Sequence, residues 1–432
     1  MKYSQTLILR KRLHGKGVSH KLLRLLVIVM ASYCVSCSQS VADDAVPREG
    51  FDIAHYYRRF GVWAIPVTVG GEPNMAILAT GSNIAAVQVF EGDDKLSRVY
   101  SHEKLPQTPF LLYRNVPYRL SDLPESKLNL MTFQWPEISE HLDIPHIGMA
   151  GLPCYSAHAL FMDGESGAFD MLKSPVQSAS GTKVKMTVQD DEAFLPVTFP
   201  VVGTRPFRME TFDTGSLRMT EDRIRALERM GHLITFLESN ELGMKDGVTV
   251  SRPVKSYVLR WADIGGVRFY NVDVQLGDED KIGLGLLRQF RMTADFPQET
   301  MWLEVIGNPR ESHSQPRGCV SRFRLLRDGR MTVSDFGDVL PEARQGLQAQ
   351  DIIRKMNGVR SEELTFSGLR DTLSSYGSSL ALEVERDGQL LPITLKIEAP
   401  KNWPPQWAPE RTAMLSDFEQ FVEQTSSPTV IE

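Results

Sequence analysis

The segment Phe207-Arg208-Met209-Glu210-Thr211-Phe212-Asp213-Thr214-Gly215-Ser216 alternates apolar and polar side chains and ends in Asp-Thr-Gly-Ser. Such alternation predicts a half-buried strand that runs into a tight turn containing glycine. A similar pattern occurs earlier, where Met75-Ala76-Ile77-Leu78 runs into Ala79-Thr80-Gly81-Ser82. The two copies differ at the first position of the tetrapeptide, which is alanine in the first copy and aspartate in the second.

The surroundings of the tetrapeptide are duplicated as well. An alternating strand with a glycine turn precedes each copy, at 61–71 and at 194–204. The second copy is followed by Ile282-Gly283-Leu284-Gly285, a Leu-Leu-Arg-x-Phe segment and a turn aspartate, Asp295. This order resembles the lobes of aspartic peptidases of the pepsin and retropepsin families. The resemblance implies one β-barrel lobe over residues 51–175 and a second over 184–307.

Aspartic peptidases cleave amide bonds with two carboxyl groups about 3 Å apart that share one proton. The resemblance implies that Asp213, Thr214 and Gly215 form the catalytic loop of the second lobe. The partner loop is Ala79, Thr80 and Gly81, which lacks the carboxylate. If the lobes face each other within one chain, we expect Asp213 to lie opposite a methyl group, and the shared-proton mechanism is then lost.

Three alternatives stay open at this point. Two chains could pair through their second lobes, as retropepsin subunits do, so that each supplies Asp213 to an active homodimeric endopeptidase. Another carboxylate could replace the missing one, although the nearby cluster of Glu91, Asp93 and Asp94 is typical of a solvated loop. Finally, Asp-Thr-Gly by itself is common enough to be a turn in an unrelated β protein.

The C-terminal third of the chain predicts a separate domain. A polar linker at 308–318 precedes Ala343 to Val359, whose pattern is similar to the Ala-Gly-Leu-x-x-Gly-Asp-x-Ile-x-x-x-Asn-Gly core of bacterial PDZ domains. Gln350 stands where that family usually has glycine. The resemblance implies a PDZ domain over 319–398, with a helix over 366–376, followed by a Pro/Trp-rich tail over 399–432. It also implies that a peptide carboxylate is bound by the loop of Arg317, Gly318, Cys319 and Val320.

The N-terminus predicts export. Residues 1–42 contain seven of the 48 basic residues and no acidic ones, and they include a short apolar run before a small-residue site at Ala42. Removing this signal peptide leaves 41 basic against 54 acidic residues, a formal charge of −13, which argues against nucleic acid as a partner. We therefore expect a periplasmic or cell-surface protein, anchored to a membrane only if Cys37 is lipidated.

No motif predicts a metal or another cofactor, since Cys154 and His158 are four residues apart but have no further ligands nearby. Whether Cys154 pairs with Cys319 cannot be read from the sequence. The fold class expected is mainly β, with two aspartic-peptidase-like β-barrel lobes followed by a PDZ-like α+β domain. The functions expected are a peptide-binding pseudo-peptidase or, alternatively, a peptidase; the partner is a polypeptide substrate or a C-terminal peptide.

Overall fold

A computed structural model describes residues 52–88, 96–104, 111–133, 147–200, 202–213, 215–245, 248–307, 323–326, 328–333, 345–373, 375 and 377–397. The chain divides into two compact units: residues 1–38 with 240–253, and residues 39–239 with 254–432. Of the first unit, the structure describes only strand segments at 240–245 and 248–253. The fold and the site described below belong to the second unit. None of the helices in the described part of the chain is both long and apolar enough to cross a membrane.

The first lobe begins with a helix, α1 (Ile53–Phe60), and continues through nine strands. The Asp52 side chain caps α1 by accepting a hydrogen bond from the amide of His55 at 2.8 Å, and Gly61 ends the helix with a φ of 75°. The strands are β1 (Ala64–Val69), β2 (Glu72–Ala79), β3 (Ala85–Gln88), β4 (His102–Lys104), β5 (Leu111–Leu120), β6 (Ser126–Phe133), β7 (Ile147–Gly151), β8 (Ala159–Asp163) and β9 (Phe169–Leu172).

Six of these strands close into a barrel. Their order is β1-β2-β7-β3-β6-β5, and β5 pairs back with β1. The β2–β7 and β3–β6 pairs are parallel, whereas the other four pairs are antiparallel. Closure leaves no free edge within the ring, and apolar residues in or next to its strands, such as Trp63, Ile65 and Leu78, are fully buried.

The second lobe follows the same plan with eleven strands and two helices. They are β10 (Thr182–Lys185), β11 (Thr187–Gln189), β12 (Glu192–Phe199), β13 (Gly203–Glu210), β14 (Leu217–Met219), α2 (Glu221–Arg229), β15 (Leu233–Lys245), β16 (Val248–Ile264), β17 (Val267–Leu276), β18 (Lys281–Gly283), α3 (Leu284–Leu287), β19 (Phe290–Asp295) and β20 (Thr300–Val305).

The barrel of the second lobe repeats that of the first strand for strand. Its order is β12-β13-β18-β14-β17-β16, closed by pairing between β12 and β16. The pairs at the equivalent places, β13–β18 and β14–β17, are again parallel. This identity of order and direction confirms the prediction of a mainly β protein with two barrel lobes of the aspartic-peptidase kind.

A separate five-stranded sheet joins the two lobes. Its order is β10-β20-β19-β8-β9, so the hairpin that follows each barrel contributes two strands. The central pair, β8 and β19, is antiparallel, with Ala159 opposite Asp295 and Asp163 opposite Arg291. An ion pair between Asp163 and Arg291, 3.1 Å apart, closes one end of that pair.

The C-terminal segment forms a smaller sheet with one helix. The elements are β21 (Phe323–Leu325), β22 (Met331–Val333), β23 (Ile352–Met356), β24 (Val359–Arg360), α4 (Phe366–Leu373), β25 (Ser379–Arg386) and β26 (Gln389–Lys396). The order is β21-β22-β23-β25-β26, with β24 paired to β23. Gln350 has a φ of 67°, the left-handed conformation for which glycine is the usual residue. The PDZ assignment of this sheet stays a prediction.

Candidate functional site between the two barrels

The candidate site is built from the loops that leave β2 and β13. In the first barrel, the parallel partner of Ala79 is Gly151 on β7. In the second barrel, the parallel partner of Glu210 is Gly283 on β18. Both β2 and β13 contain eight residues, and Ala79 and Glu210 are the last residue of each. Ala79 and Glu210 are therefore equivalent positions of the two barrels.

A reciprocal pair of threonines joins these loops across the lobes. The Thr80 hydroxyl donates to the carbonyl of Met209 at 3.0 Å, and the Thr211 hydroxyl donates to the carbonyl of Leu78 at 2.8 Å. Each hydroxyl oxygen also accepts the amide of the other threonine, at 3.2 and 3.3 Å. Both threonines are fully buried. Because such a network is satisfied at every step, it fixes the two loops against each other.

The structure corrects the equivalence that the repeated tetrapeptide suggested. We expected Asp213 to be the counterpart of Ala79, but the strand registers give that place to Glu210. A second comparison agrees. In the first barrel the amide of Leu152, the residue after Gly151, donates to the carbonyl of Ser82. In the second barrel the amide of Leu284, the residue after Gly283, donates to the carbonyl of Asp213. Asp213 thus matches Ser82, three residues beyond the position expected.

Glycines allow the close backbone contacts at this site. A Cβ on Gly81 would lie 2.6 Å from the carbonyl oxygen of Met209 and 2.9 Å from Oε2 of Glu210. A Cβ on Gly283 would lie 2.5 and 2.6 Å from the carbonyl oxygens of Gly215 and Asp213. Any side chain at Gly81 would force the two loops apart, and one at Gly283 would push the loop after β13 away from β18. The 2.9 Å distance also shows that the Glu210 carboxyl lies against the loop of the other lobe.

Asp213 is held by ionic and hydrogen-bonding partners of its own lobe. Its Oδ2 pairs with Nε of Arg218 at 2.5 Å, and its Oδ1 accepts the amide of Gly215 at 2.9 Å. Burial by itself raises the pKa of Asp213, but Arg218, the Gly215 amide and Lys281 together lower it below its ordinary value. Asp213 is therefore a carboxylate engaged in an ion pair.

Glu210 has a different environment. Desolvation raises its pKa above the ordinary value, and the charge of Asp213 adds to this rise, while Lys281, Arg208 and the amide of Phe212 oppose it. Lys281 is buried, and burial together with Arg208 lowers its pKa. Arg208 makes two ion pairs, at 2.8 Å with Glu192 and at 2.7 Å with Glu279. The site therefore combines one carboxyl whose pKa is raised, that of Glu210, with one whose pKa is lowered, that of Asp213.

Not every residue predicted for a site can be placed. Thr214 and the proposed carboxylate-binding loop, Arg317, Gly318, Cys319 and Val320, lie outside the described residues, as do Glu91, Asp93 and Asp94.

Cys154 is buried, and this burial raises the pKa of its thiol to about 12. Within the described ranges, no cluster of three or more histidine, cysteine, aspartate or glutamate side chains could hold a metal ion.

Glu210 is a residue of this site that was not predicted from the sequence. One signal was available in the sequence: Thr211 follows Glu210 as Thr80 follows Ala79, so Thr211 was a second candidate for the counterpart of Thr80. The identity of Thr-Gly-Ser in the two copies outweighed that signal.

Comparisons with known proteins show one partial similarity. No model of a protein family matches it, and no curated protein does. One solved structure similar to part of the chain is a retropepsin-like aspartic protease from Rickettsia conorii. It is 16% identical over 28% of this chain and 86% of its own, with a TM-score of 0.20. A similarity of that size adds no weight to the assignment, which depends on the two barrels and their strand order.

Proposed function

We propose that this protein is an exported, aspartic-peptidase-like protein that binds polypeptides between its barrels without cleaving them. Its C-terminal domain is, in this proposal, a PDZ-like module that binds a second peptide or a peptide C-terminus. The observation that supports the first part is that Ala79 occupies the strand end equivalent to that of Glu210, so one of the two equivalent positions has no carboxyl. Aspartic-type hydrolysis requires two carboxyls that share a proton, one to activate water and one to polarise the scissile carbonyl. The methyl group of Ala79 can neither activate water nor polarise the scissile carbonyl.

Two contacts weigh against an active dimer built from Asp213 of two chains. Thr211 makes its hydrogen bonds to Leu78 and Thr80 of the same chain, and pairing of two second lobes would break them. The Asp213 carboxylate is already paired with Arg218. A dyad of two Asp213 side chains would require both ion pairs to open.

The proposal for the C-terminal domain has separate support. Its antiparallel sheet and α4 fit a module that binds an extended peptide by strand addition, where main-chain hydrogen bonds supply affinity. Export is supported by the basic N-terminus followed by a short apolar run.

A cleavage assay tests the absence of hydrolysis. The wild-type protein, Ala79→Asp, and the double variant Ala79→Asp with Glu210→Asp are incubated with a fluorogenic peptide library between pH 3 and 8, and folding is checked by circular dichroism. We expect no cleavage by the wild type and a gain of pepstatin-sensitive cleavage in the double variant, because two aspartates then occupy equivalent strand ends. Wild-type cleavage that disappears in Glu210→Gln or Asp213→Asn would overturn the proposal. A folded double variant without activity would refute the correspondence between these loops and a peptidase dyad.

A further inference from the structure

We propose that Arg59 of the first lobe is a positioning residue for peptide binding by the C-terminal domain. Its guanidinium holds the two walls of that domain's groove, the edge strand β21 and the helix α4, at the separation that a bound peptide needs. The inference rests on the proposed function, in that it takes this groove to bind the C-terminal end of a peptide by strand addition. It adds that the first lobe takes part in that binding.

The edge of β21 supplies the main-chain groups for strand addition. Within the described part of the chain, β21 lies at the end of its sheet and pairs with β22. The amide of Leu326 donates to the carbonyl of Arg330 at 2.8 Å, so these two residues form a hydrogen-bonded pair of the antiparallel ladder. Because hydrogen-bonded pairs alternate with other pairs along such a ladder, the main-chain groups of Leu325 and Phe323 point away from β22, toward the edge. The main-chain groups of Val333, opposite Phe323, make their hydrogen bonds on the side of β23, which agrees with this alternation.

Arg59 bonds both walls of the groove at once. From α1, its guanidinium donates to carbonyls at the turn of the β21–β22 hairpin and to carbonyls of the segment that leads into α4. The hairpin carbonyls are those of Leu326 at 3.3 Å, Gly329 at 2.7 Å and Arg330 at 3.0 Å, and the others are those of Ser361 at 2.5 Å and Leu364 at 2.9 Å. A guanidinium is planar and rigid, so this one side chain fixes the distance between the two sets of acceptors.

The carbonyls that Arg59 binds are not those that a peptide on the edge of β21 would use. The edge groups belong to Phe323 and Leu325, whereas Leu326 bonds within the hairpin, where its carbonyl also accepts the amide of Gly329 at 3.2 Å. Arg59 therefore fixes the walls without occupying the groove. A groove that is already fixed loses less conformational freedom when a peptide binds, so loss of Arg59 should weaken binding.

The same end of α1 also contacts the second wall directly. Phe366, the first residue of α4, lies against Gly61, the residue that ends α1, and a Cβ on Gly61 would overlap the Phe366 ring. Gly329 of the hairpin turn lies against Glu362, since a Cβ there would be 2.7 Å from Cγ of that side chain. The end of α1 and the two walls thus form one packed cluster. Because coupling between two sites is reciprocal, a peptide in the groove should in turn stabilise α1.

The test uses the full chain and a peptide with a free C-terminus. A random decapeptide library with free C-termini is selected on the purified wild-type protein at pH 7, and a selected peptide that slows hydrogen exchange in β21 serves as the probe. Its dissociation constant is measured by fluorescence anisotropy for the wild type, Arg59→Met, Arg59→Lys and Gly61→Ala, each checked for folding by circular dichroism. The matched control is Arg58→Met, which removes an exposed arginine of the same helix.

We expect Arg59→Met to bind the peptide about tenfold more weakly than the wild type, and Arg58→Met to bind it equally well. Arg59→Lys keeps the positive charge, but one ammonium cannot span both sets of carbonyls, so it should also bind about tenfold more weakly. Gly61→Ala keeps Arg59 but displaces Phe366, and it should weaken binding as well. In the wild type, saturating peptide should slow hydrogen exchange in α1, and this protection should be lost in Arg59→Met. A purely structural role of Arg59 would not produce that coupling.

The outcomes separate the two claims. If no library peptide protects β21, the proposed function of the C-terminal domain fails and this inference fails with it. If a peptide protects β21 but leaves exchange in wild-type α1 unchanged, or binds folded Arg59→Met as tightly as the wild type, the domain still binds peptide and the role of Arg59 is overturned. Wild-type affinity in Arg59→Lys would overturn it too, because charge alone would then be sufficient.

Discussion

Replacing Arg59 by methionine should release the C-terminal domain from the first lobe. Arg59 is on α1, and its side chain is only 6% exposed. Its guanidinium donates to five main-chain carbonyls of the C-terminal domain: Ser361 at 2.5 Å, Gly329 at 2.7 Å, Leu364 at 2.9 Å, Arg330 at 3.0 Å and Leu326 at 3.3 Å.

The magnitude can be worked out from which carbonyls stay buried. The bonds to Ser361 and Leu364 are fully buried, whereas those to Leu326, Gly329 and Arg330 are partly exposed and can pass to water. A buried acceptor left without a donor costs about 1–3 kcal/mol. Two such acceptors give a loss of about 4 kcal/mol in the free energy that holds the domain in place. Methionine keeps most of the apolar contact of the arginine stem, so that the loss reports on hydrogen bonding.

Hydrogen exchange of the full chain, followed by mass spectrometry, measures this loss domain by domain. We expect Arg59→Met to accelerate exchange in β23 and β25 while leaving β13 of the second barrel unchanged. The neighbouring Arg58 is the matched control because its side chain is exposed, and Arg58→Met should change stability by no more than about 0.5 kcal/mol. Equal exchange in the two variants would refute the reasoning that Arg59 fastens the domain.

Three further predictions concern the lobes. Thr80→Val should lower the free energy of unfolding by about 2 kcal/mol. Adding Thr211→Val should lower it by less than a second loss of about 2 kcal/mol, because the two hydroxyls share hydrogen bonds. Additive losses in urea denaturation would contradict this expectation. Asp213→Asn removes the negative charge that pairs with Arg218 and should cost about 3 kcal/mol at pH 7, a difference that shrinks as pH falls through the lowered pKa of Asp213; a constant difference would argue against the ion pair. Burial, together with the charge of Arg260, lowers the pKa of His232 from 6.5 to about 4. The free energy of unfolding should therefore decrease by roughly 3 kcal/mol as pH falls from 6.5 to 4. His232→Leu should lack this pH dependence of the free energy of unfolding when thermal unfolding is followed across the same range.

Much of the fold could be predicted from local pattern. The alternation that begins at Phe207 predicted a strand, because a strand places successive side chains on opposite faces, although β13 ends at Glu210 and not at Phe212. The apolar run that begins at Met75 predicted β2. The segment 366–376 was predicted to be helical, and α4 occupies Phe366–Leu373. The repetition of strand, turn and later glycine predicted two barrels, since each copy must bury the same kind of apolar face.

The residue opposite Ala79 could not be predicted in this way. The loop after β13 is one residue longer than the loop after β2: Arg218 pairs with Lys281 eight residues beyond Glu210, whereas Ala86 pairs with Met149 seven residues beyond Ala79. An identical Thr-Gly-Ser can therefore occupy different places in the two loops. Side-chain identity is a local property, whereas register is decided by hydrogen bonds to strands about 70 residues away.

The amino-acid sequence by itself determined the two strand-to-turn segments, the duplicated plan and the absence of a carboxylate at residue 79. Only the tertiary structure decided that Glu210 is the counterpart of Ala79 and that Asp213 is engaged by Arg218. It also decided that Arg59 binds carbonyls 267 to 305 residues away. The physical reason is the same in each case: main-chain carbonyls and amides are present at nearly every residue, so which of them meet depends on how the barrels close and pack.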